Sequence, residues 1–269
     1  MTSNPAIPGR TWLVRLHRAW VITGAAAGAV FIVWSLVAYR ATVEARAAVE
    51  STSTVAVSDH DGYWTFQPKQ AASVGLLFFP GALVDPVAYA PLAQAVAGRG
   101  YTVLLVRVPR RGAFGGAESD ELSLRYLRAM REAAQAGGPG RWVVAGHSRG
   151  GVISANLLRT LPEGMAGLVL MGTSHPRDFS LAHLRIPVTQ IFGTRDTIAG
   201  VDKVVAARSN LPPSTAIVQI DGGNHSQFGS YGFQPGDWPA SISRAEQQRR
   251  IADAVVETLS RSVRGRASH

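Results

Sequence analysis

From residue 70 onward, blocks of apolar residues alternate with amphipathic stretches in a way that predicts strands separated by helices. Continuous apolar runs such as VGLLFF (74–79) predict strands that are buried on both faces. The predicted strands are 74–79, 102–108, 142–146, 168–172, 188–193 and 216–220, and the predicted helices are 88–100, 121–136, 149–161, 201–210 and 243–263. This order predicts an α/β fold with a mostly parallel twisted sheet, helices on both faces, and functional residues at the carboxyl ends of the strands.

Two segments before residue 70 break this alternation. Residues 53–67 alternate in polarity around Asp61-Gly62, which predicts an antiparallel hairpin. Residues 19–39 carry no charge and predict one transmembrane helix of about 31 Å, flanked by Trp20, Trp34 and Tyr39. A cleaved signal peptide is the alternative, but the apolar run is longer than such peptides use and no clean cleavage site follows it.

Basic residues flank the predicted membrane helix unequally. Arg10, Arg15 and Arg18 precede it, and Arg40 and Arg46 follow it. This small bias favours a cytoplasmic N-terminus, with the folded part of the chain outside the plasma membrane. We therefore expect five segments: a cytoplasmic tail (1–18), a membrane anchor (19–39), a short helical stalk (40–52), a folded domain (53–263) and a flexible end (264–269).

Composition excludes several classes of protein. Hydrophobic residues make up 46% of the chain and charged residues 17%, which excludes a disordered chain. The absence of cysteine excludes disulfides, thiolate metal sites and a cysteine nucleophile. The net charge of +9 is concentrated in residues 1–46 and 244–266, so we expect no nucleic-acid partner.

The pentapeptide Gly146-His147-Ser148-Arg149-Gly150 lies between a predicted strand and a predicted helix. In this context G-x-S-x-G forms a sharp turn that holds the serine hydroxyl at the end of the sheet, beside a helix N-terminus that favours negative charge. Ser148 is therefore the candidate nucleophile.

A serine nucleophile needs a base, and the base needs an acid that orients it. His225 follows the strand 216–220 in a glycine-rich loop and is the candidate base. Asp196 follows the strand 188–193 and is the candidate acid, although an N-cap role is its alternative explanation. Asp178 is the second candidate acid. We expect the oxyanion donors to be the backbone N–H groups of Arg149 and of Ala82, with Leu83 as the second choice.

At this point the chain resembles the α/β-hydrolase superfamily, and within it a small bacterial group of membrane-anchored proteins. The resemblance covers residues 70–262 and is carried by PGALVDPVAYAPLA, GHSRGG, GTRD, GGNHSQFGSYGFQPGD and ISRAEQQRRIADAV. The resemblance implies hydrolase chemistry without naming a substrate. With Ser148, Asp196 and His225 as the reacting residues, we expect a serine hydrolase that acts on carboxylic esters through an acyl-enzyme and needs no metal or organic cofactor. One residue and one segment depart from the pattern usual in similar proteins. The residue is Arg149, where a small apolar residue or Leu is usual, and the segment is 109–116.

The same chemistry leaves alternatives open. Ser148, Asp196 and His225 would equally support an acyltransferase, a thioesterase or a lactonase. A non-catalytic, membrane-tethered binding module of the same fold is the alternative from another class.

The segment between strands 168–172 and 188–193 is too short for the helical lid that such hydrolases often carry there. We therefore expect an open site for a small-molecule or lipid-like ester. The aromatic-rich loop 228–238 either covers part of this site or packs as a surface loop. The candidate substrate-binding residues are Leu83, His147, Thr173, His175, Phe228 and Tyr231.

Overall fold

The computed structural model describes residues 9–112 and 120–265. The chain forms two compact units, and the boundary lies between Ala38 and Tyr39. The first unit is one long helix, α1 (Gly9–Ala38), and its segment Thr11–Ser35 is long and apolar enough to cross a membrane. This segment begins eight residues before the predicted span, because the helix includes the turn that carries Arg15 and Arg18.

The second unit contains eight strands and six α-helices within the described residues. The strands are β1 (Val55–His60), β2 (Tyr63–Pro68), β3 (Val74–Phe79), β4 (Val103–Val106), β5 (Arg141–His147), β6 (Met165–Met171), β7 (Val188–Gly193) and β8 (Ala216–Ile220). The helices are α2 (Val43–Ala47), α3 (Ala90–Ala97), α4 (Asp120–Gln135), α5 (Arg149–Thr160), α6 (Val201–Ala206) and α7 (Arg244–Arg264).

All eight strands form one sheet in the order β1-β2-β4-β3-β5-β6-β7-β8. The pairs β1–β2 and β2–β4 are antiparallel, and every other pair is parallel. Every residue of β3 is buried, as the apolar run 74–79 predicts. Strand β3 presents Leu77 and Phe79 to the face covered by α4 and α5, whereas Phe78 meets Tyr89 on the opposite face. The predicted fold class is therefore confirmed.

The segment before the hairpin packs onto the domain and does not extend from it as a stalk. Ala41 and Ala45 are fully or almost fully buried, and the backbone N–H of Thr42 donates to the carbonyl of Ser230. Tyr39, which the sequence suggests as a membrane-interface anchor, is instead buried against the edge of Tyr231. The domain therefore begins near Tyr39 rather than at residue 53, because this segment finds an aromatic partner that is distant in sequence.

Parts of three predicted segments lie outside the described residues. These are residues 1–8 of the N-terminal tail, residues 113–116 of the unusual segment 109–116, and residues 266–269 of the flexible end.

Candidate active site

The turn from β5 into α5 holds Ser148 in a strained backbone conformation. Its φ of 53° and ψ of −117° lie in a region that residues with a side chain rarely adopt. The strain persists because the backbone segments around it are in close contact. A Cβ at Gly146 would overlap the backbone of Gly150, and a Cβ at Gly150 would overlap the carbonyl of Phe79. This packing presents the Ser148 side chain at the carboxyl end of the sheet, at the N-terminus of α5.

His225 and Asp196 meet at the same end of the sheet. His225 follows β8 and Asp196 follows β7, and His225 Nδ1 lies 2.8 Å from Asp196 Oδ2. Because a carboxylate only accepts hydrogen bonds, Nδ1–H donates to Asp196, and Nε2 is the ring nitrogen left to exchange a proton with another group. Nε2 is buried and bonds to none of the described residues, and the ring lines the same cavity as Ser148.

The two carboxylate oxygens of Asp196 make two different kinds of contact, one with His225 and one with the backbone of the following turn. Oδ1 accepts from the backbone N–H groups of Ile198 (3.0 Å) and Ala199 (2.8 Å), so it caps the turn before α6. One oxygen therefore fixes the carboxylate, and the other orients His225. Asp178, the second candidate acid, is exposed, and its charge partly offsets the lowering of the His175 pKa by burial.

Two side chains that the sequence analysis did not identify hold the His225 loop in place. Asp237 is buried and accepts from the backbone N–H of His225 (3.2 Å) and of Ser226 (2.8 Å). Gln247 on α7 accepts from the Asn224 N–H at 3.0 Å and donates to the Asn224 carbonyl at 2.7 Å. Nothing local marks either residue, because Asp237 lies in a turn-like Pro-Gly-Asp and Gln247 lies in a polar helical stretch.

The cavity beside Ser148 has a volume of about 220 Å³. Of the six predicted substrate-binding residues, Thr173 and His175 line it. Its other lining residues are Ser148, Arg149, Val152, Gly172, Ser174, Arg177, Ile198, Ala199 and His225. The segment 172–187, described in full, contains no helix, so no helical lid stands over the cavity from this side.

Three predicted substrate-binding residues are placed elsewhere, because their rings pack into the interior. His147 stacks on Phe228 with a centroid separation of 5.0 Å, and Tyr231 packs against Tyr39. All three side chains are buried, and none lines the cavity. The loop 228–238 is thus anchored inward by Phe228 and Tyr231, while Phe233 and Trp238 stay exposed. The loop therefore packs as a surface loop and does not cover the cavity beside Ser148.

His147 is tied to the loop after β3 through Tyr89. The Tyr89 hydroxyl lies 2.8 Å from His147 Nδ1 and accepts the Gly81 N–H at 3.1 Å. Burial, followed by the nearby His225, holds the pKa of His147 well below its usual value, so this ring is neutral. The network fixes the backbone immediately before Ala82, one of the two expected oxyanion donors.

Leu83, the second choice for that donor, has its N–H engaged elsewhere. It donates to the carbonyl of Arg111 at 2.7 Å, with a φ of 64° at Leu83. The Leu83 side chain is half-buried and does not line the cavity.

The sequence profile of the Alpha/beta hydrolase family matches residues 75–249. This match spans most of the chain, and the protein belongs to that family. No curated protein sequence matches the chain.

Solved structures share the fold at low sequence identity. TT1662 from Thermus thermophilus has a TM-score of 0.57 and 15% identity, and the match covers 78% of this chain and 98% of that protein. The dienelactone hydrolase from Anabaena variabilis has a TM-score of 0.56 and 17% identity over 73% and 91% of the two chains. The esterase domain from a Rhodothermus marinus protein has a TM-score of 0.51 and 14% identity over 72% and 90%.

The close backbone packing at the β5–α5 turn predicts that a side chain at Gly146 lowers the stability of the domain. We expect Gly146→Ala to destabilise the domain by about 3 kcal/mol, because the new methyl meets backbone that has no room to move. The matched control is Gly140→Ala, where a Cβ meets nothing within 4 Å and the expected change is below about 0.5 kcal/mol. Thermal unfolding of the two variants measures this difference. Equal melting temperatures would contradict the packing described here.

Proposed function

We propose that the protein is a serine hydrolase that cleaves carboxylic esters with Ser148, Asp196 and His225. The observation that carries this proposal is the 2.8 Å contact between His225 Nδ1 and Asp196, which leaves Nε2 of the ring without a described partner beside the strained Ser148. Family membership supports hydrolysis, and two proteins of similar fold are named as an esterase domain and a dienelactone hydrolase.

In the proposed first step, Ser148 Oγ attacks the ester carbonyl carbon and its proton passes to His225 Nε2. Asp196 stabilises the resulting imidazolium through Nδ1–H. The backbone N–H groups of Arg149 and Ala82 donate to the oxyanion, an interaction whose removal typically lowers the rate ~10²–10³-fold. The C–O bond then breaks, and the leaving alcohol takes the proton from His225.

Water completes the cycle in the proposed second step. It attacks the acyl carbon and gives a proton to His225, and Ser148 leaves with that proton while the carboxylic acid departs. An alcohol in place of this water would make the enzyme an acyltransferase, and a thioester or lactone substrate would follow the same steps.

Labelling of the full-length chain in detergent with a fluorophosphonate tests the proposal. We expect wild type to label and Ser148→Ala not to label, because the probe reacts with an activated serine. Labelling of His225→Ala and Asp196→Asn should be slower by at least about a hundredfold, as expected for loss of a general base or its orienting acid.

The matched control for the acid is Asp178→Asn, at the exposed second candidate, which should label at the wild-type rate. If folded wild type does not label, the non-catalytic binding module is the better description. Product analysis with a competing alcohol then separates hydrolysis from acyl transfer in a protein that does label.

We further propose that α1 anchors the protein in the plasma membrane, with residues before the helix in the cytoplasm and the domain outside. The length and composition of Thr11–Ser35 and the basic flank Arg10, Arg15 and Arg18 support this orientation.

Protease added to intact spheroplasts tests this topology. We expect it to digest the domain while an N-terminal tag survives, because the membrane shields the tag. Survival of the domain would contradict the orientation, and recovery of a chain without α1 would identify a cleaved signal peptide instead.

A further inference from the structure

Two exposed aromatic residues flank a single turn in the loop 228–238. The backbone N–H of Asp237 donates to the carbonyl of Gln234 at 3.1 Å, which closes the turn. Phe233 stands directly before this turn and Trp238 directly after it, and they are 52% and 58% exposed. From Tyr39 onward, no other Phe, Tyr or Trp among the described residues is classed as exposed. The two residues therefore form an unusual apolar pair on the surface of the domain.

The turn is fixed by hydrogen bonds to the rest of the domain. Asp237 Oδ2 accepts from both the backbone N–H and the hydroxyl of buried Ser226, each at 2.8 Å, and Ser226 Oγ accepts from the Gln234 N–H at 3.1 Å. At the other end, the Trp238 carbonyl accepts from Asn224 Nδ2 at 2.7 Å. The exposed aromatic residues thus stand on backbone that is already ordered, which lowers the entropy cost of docking them on another surface.

The same loop packs on the residue that follows the proposed membrane helix. The ring of Tyr39 lies 5.7 Å from the ring of Tyr231, and Tyr39 comes four residues after Ser35, where the candidate membrane span ends. Four residues of chain reach at most about 14 Å, and Phe233, two residues after Tyr231, lies at most about 7 Å from it along the chain. Chain connectivity alone therefore keeps Phe233 close to the end of the span.

A third exposed apolar side chain belongs to the segment that packs on this loop. Val43 is exposed at the start of α2, and the N–H of its neighbour Thr42 donates to the Ser230 carbonyl at 2.8 Å. Among the described residues from Tyr39 onward, three of the four exposed large hydrophobic residues lie on these two segments, and the fourth is Val205 on α6. Exposed apolar residues that cluster where a membrane anchor joins a domain indicate a contact surface.

We propose that Phe233 and Trp238 insert into the membrane interface and hold the domain against the lipid surface. The partner is the boundary between headgroups and acyl chains, in the leaflet from which α1 emerges, because aromatic side chains favour that depth. The proposal rests on the proposed anchoring by α1 and adds a second contact, made by the domain itself. Because Asp237 precedes Trp238 and accepts the His225 N–H at 3.2 Å, this contact holds the His225 loop near the lipid.

Single fluorescent labels test the contact in the full-length protein, which has no native cysteine. The variants Phe233→Cys and Trp238→Cys, each labelled with nitrobenzoxadiazole, are reconstituted into phosphatidylcholine vesicles with and without a lipid that carries a nitroxide near its headgroup. We expect the nitroxide to remove about half of the emission at either position, because both labels lie at that depth. The matched control is Val205→Cys, at the exposed residue on α6, which should lose less than about a tenth.

A second substitution assigns the insertion to the aromatic side chains. In the labelled Trp238→Cys protein, Phe233→Ser is expected to lower the quenching at position 238 at least about twofold, because the remaining apolar contact is too small to hold the turn in the interface. The control in the same protein is Val205→Ser, which should leave this quenching unchanged. Both substitutions are at exposed positions, so we expect neither to unfold the domain.

A label within α1 separates this inference from the proposed anchoring. Thr23→Cys lies in the middle of Thr11–Ser35, and its label should be quenched by a nitroxide placed deep in the acyl chains. If it is quenched but positions 233 and 238 are quenched no more than position 205, or if Phe233→Ser changes nothing at 238, the inference is wrong and the anchor stands. If the Thr23 label is not quenched, the proposed anchoring fails and this inference fails with it.

Discussion

The close approach of the β5–α5 turn to the end of β3 is the constraint on which the candidate site depends. Gly146 and Gly150 allow backbone to meet backbone there, and the carbonyl of Phe79 occupies the space that a side chain at Gly150 would need. Ser148 is held at a φ of 53° by this packing, and its own N–H donates to the carbonyl of Met171 on the next strand. The strain at the serine is thus supported by the buried centre of the sheet, where a rigid scaffold is available.

His225 reaches the same place by a different kind of support. Its loop has little regular structure, so polar side chains fix it: Asp237 holds the backbone at His225 and Ser226, and Gln247 holds both backbone groups of Asn224. Buried hydrogen bonds of this kind are costly to leave unmade, which makes the loop geometry specific. A similar side-chain bridge fixes the loop after β3, where the Tyr89 hydroxyl joins the Gly81 N–H to His147 Nδ1.

Sequence patterns predicted what depends on local order. The apolar runs gave β3, β7 and β8 with the bounds that the structure has, and Asp61-Gly62 located the hairpin turn. The structure also brings Asp196 and His225 together, as the order of the strand ends predicts for parallel neighbours.

What the sequence did not reveal depends on contacts between distant segments. Tyr39 packs on Tyr231, so the domain starts earlier than predicted and the loop 228–238 is anchored inward. His147 and Phe228 are buried together for the same reason, because no local pattern says which face of a loop will meet the interior. Arg177 lies in a segment that is distant from Ser148 in sequence, and only the structure shows that it lines the same cavity. Arg149 differs, because its place directly after Ser148 in the motif already marks it as unusual.

The central claim is that Ser148 becomes acylated during turnover, and mass spectrometry of the trapped intermediate tests it most directly. Full-length protein mixed with an activated ester and quenched in acid within milliseconds is digested, and the peptide that contains Ser148 is examined. The account predicts that this peptide gains the mass of the acyl group, and that the gain is lost in Ser148→Ala. Ester cleavage with no acyl group on Ser148, or with the acyl group on another residue, would contradict it.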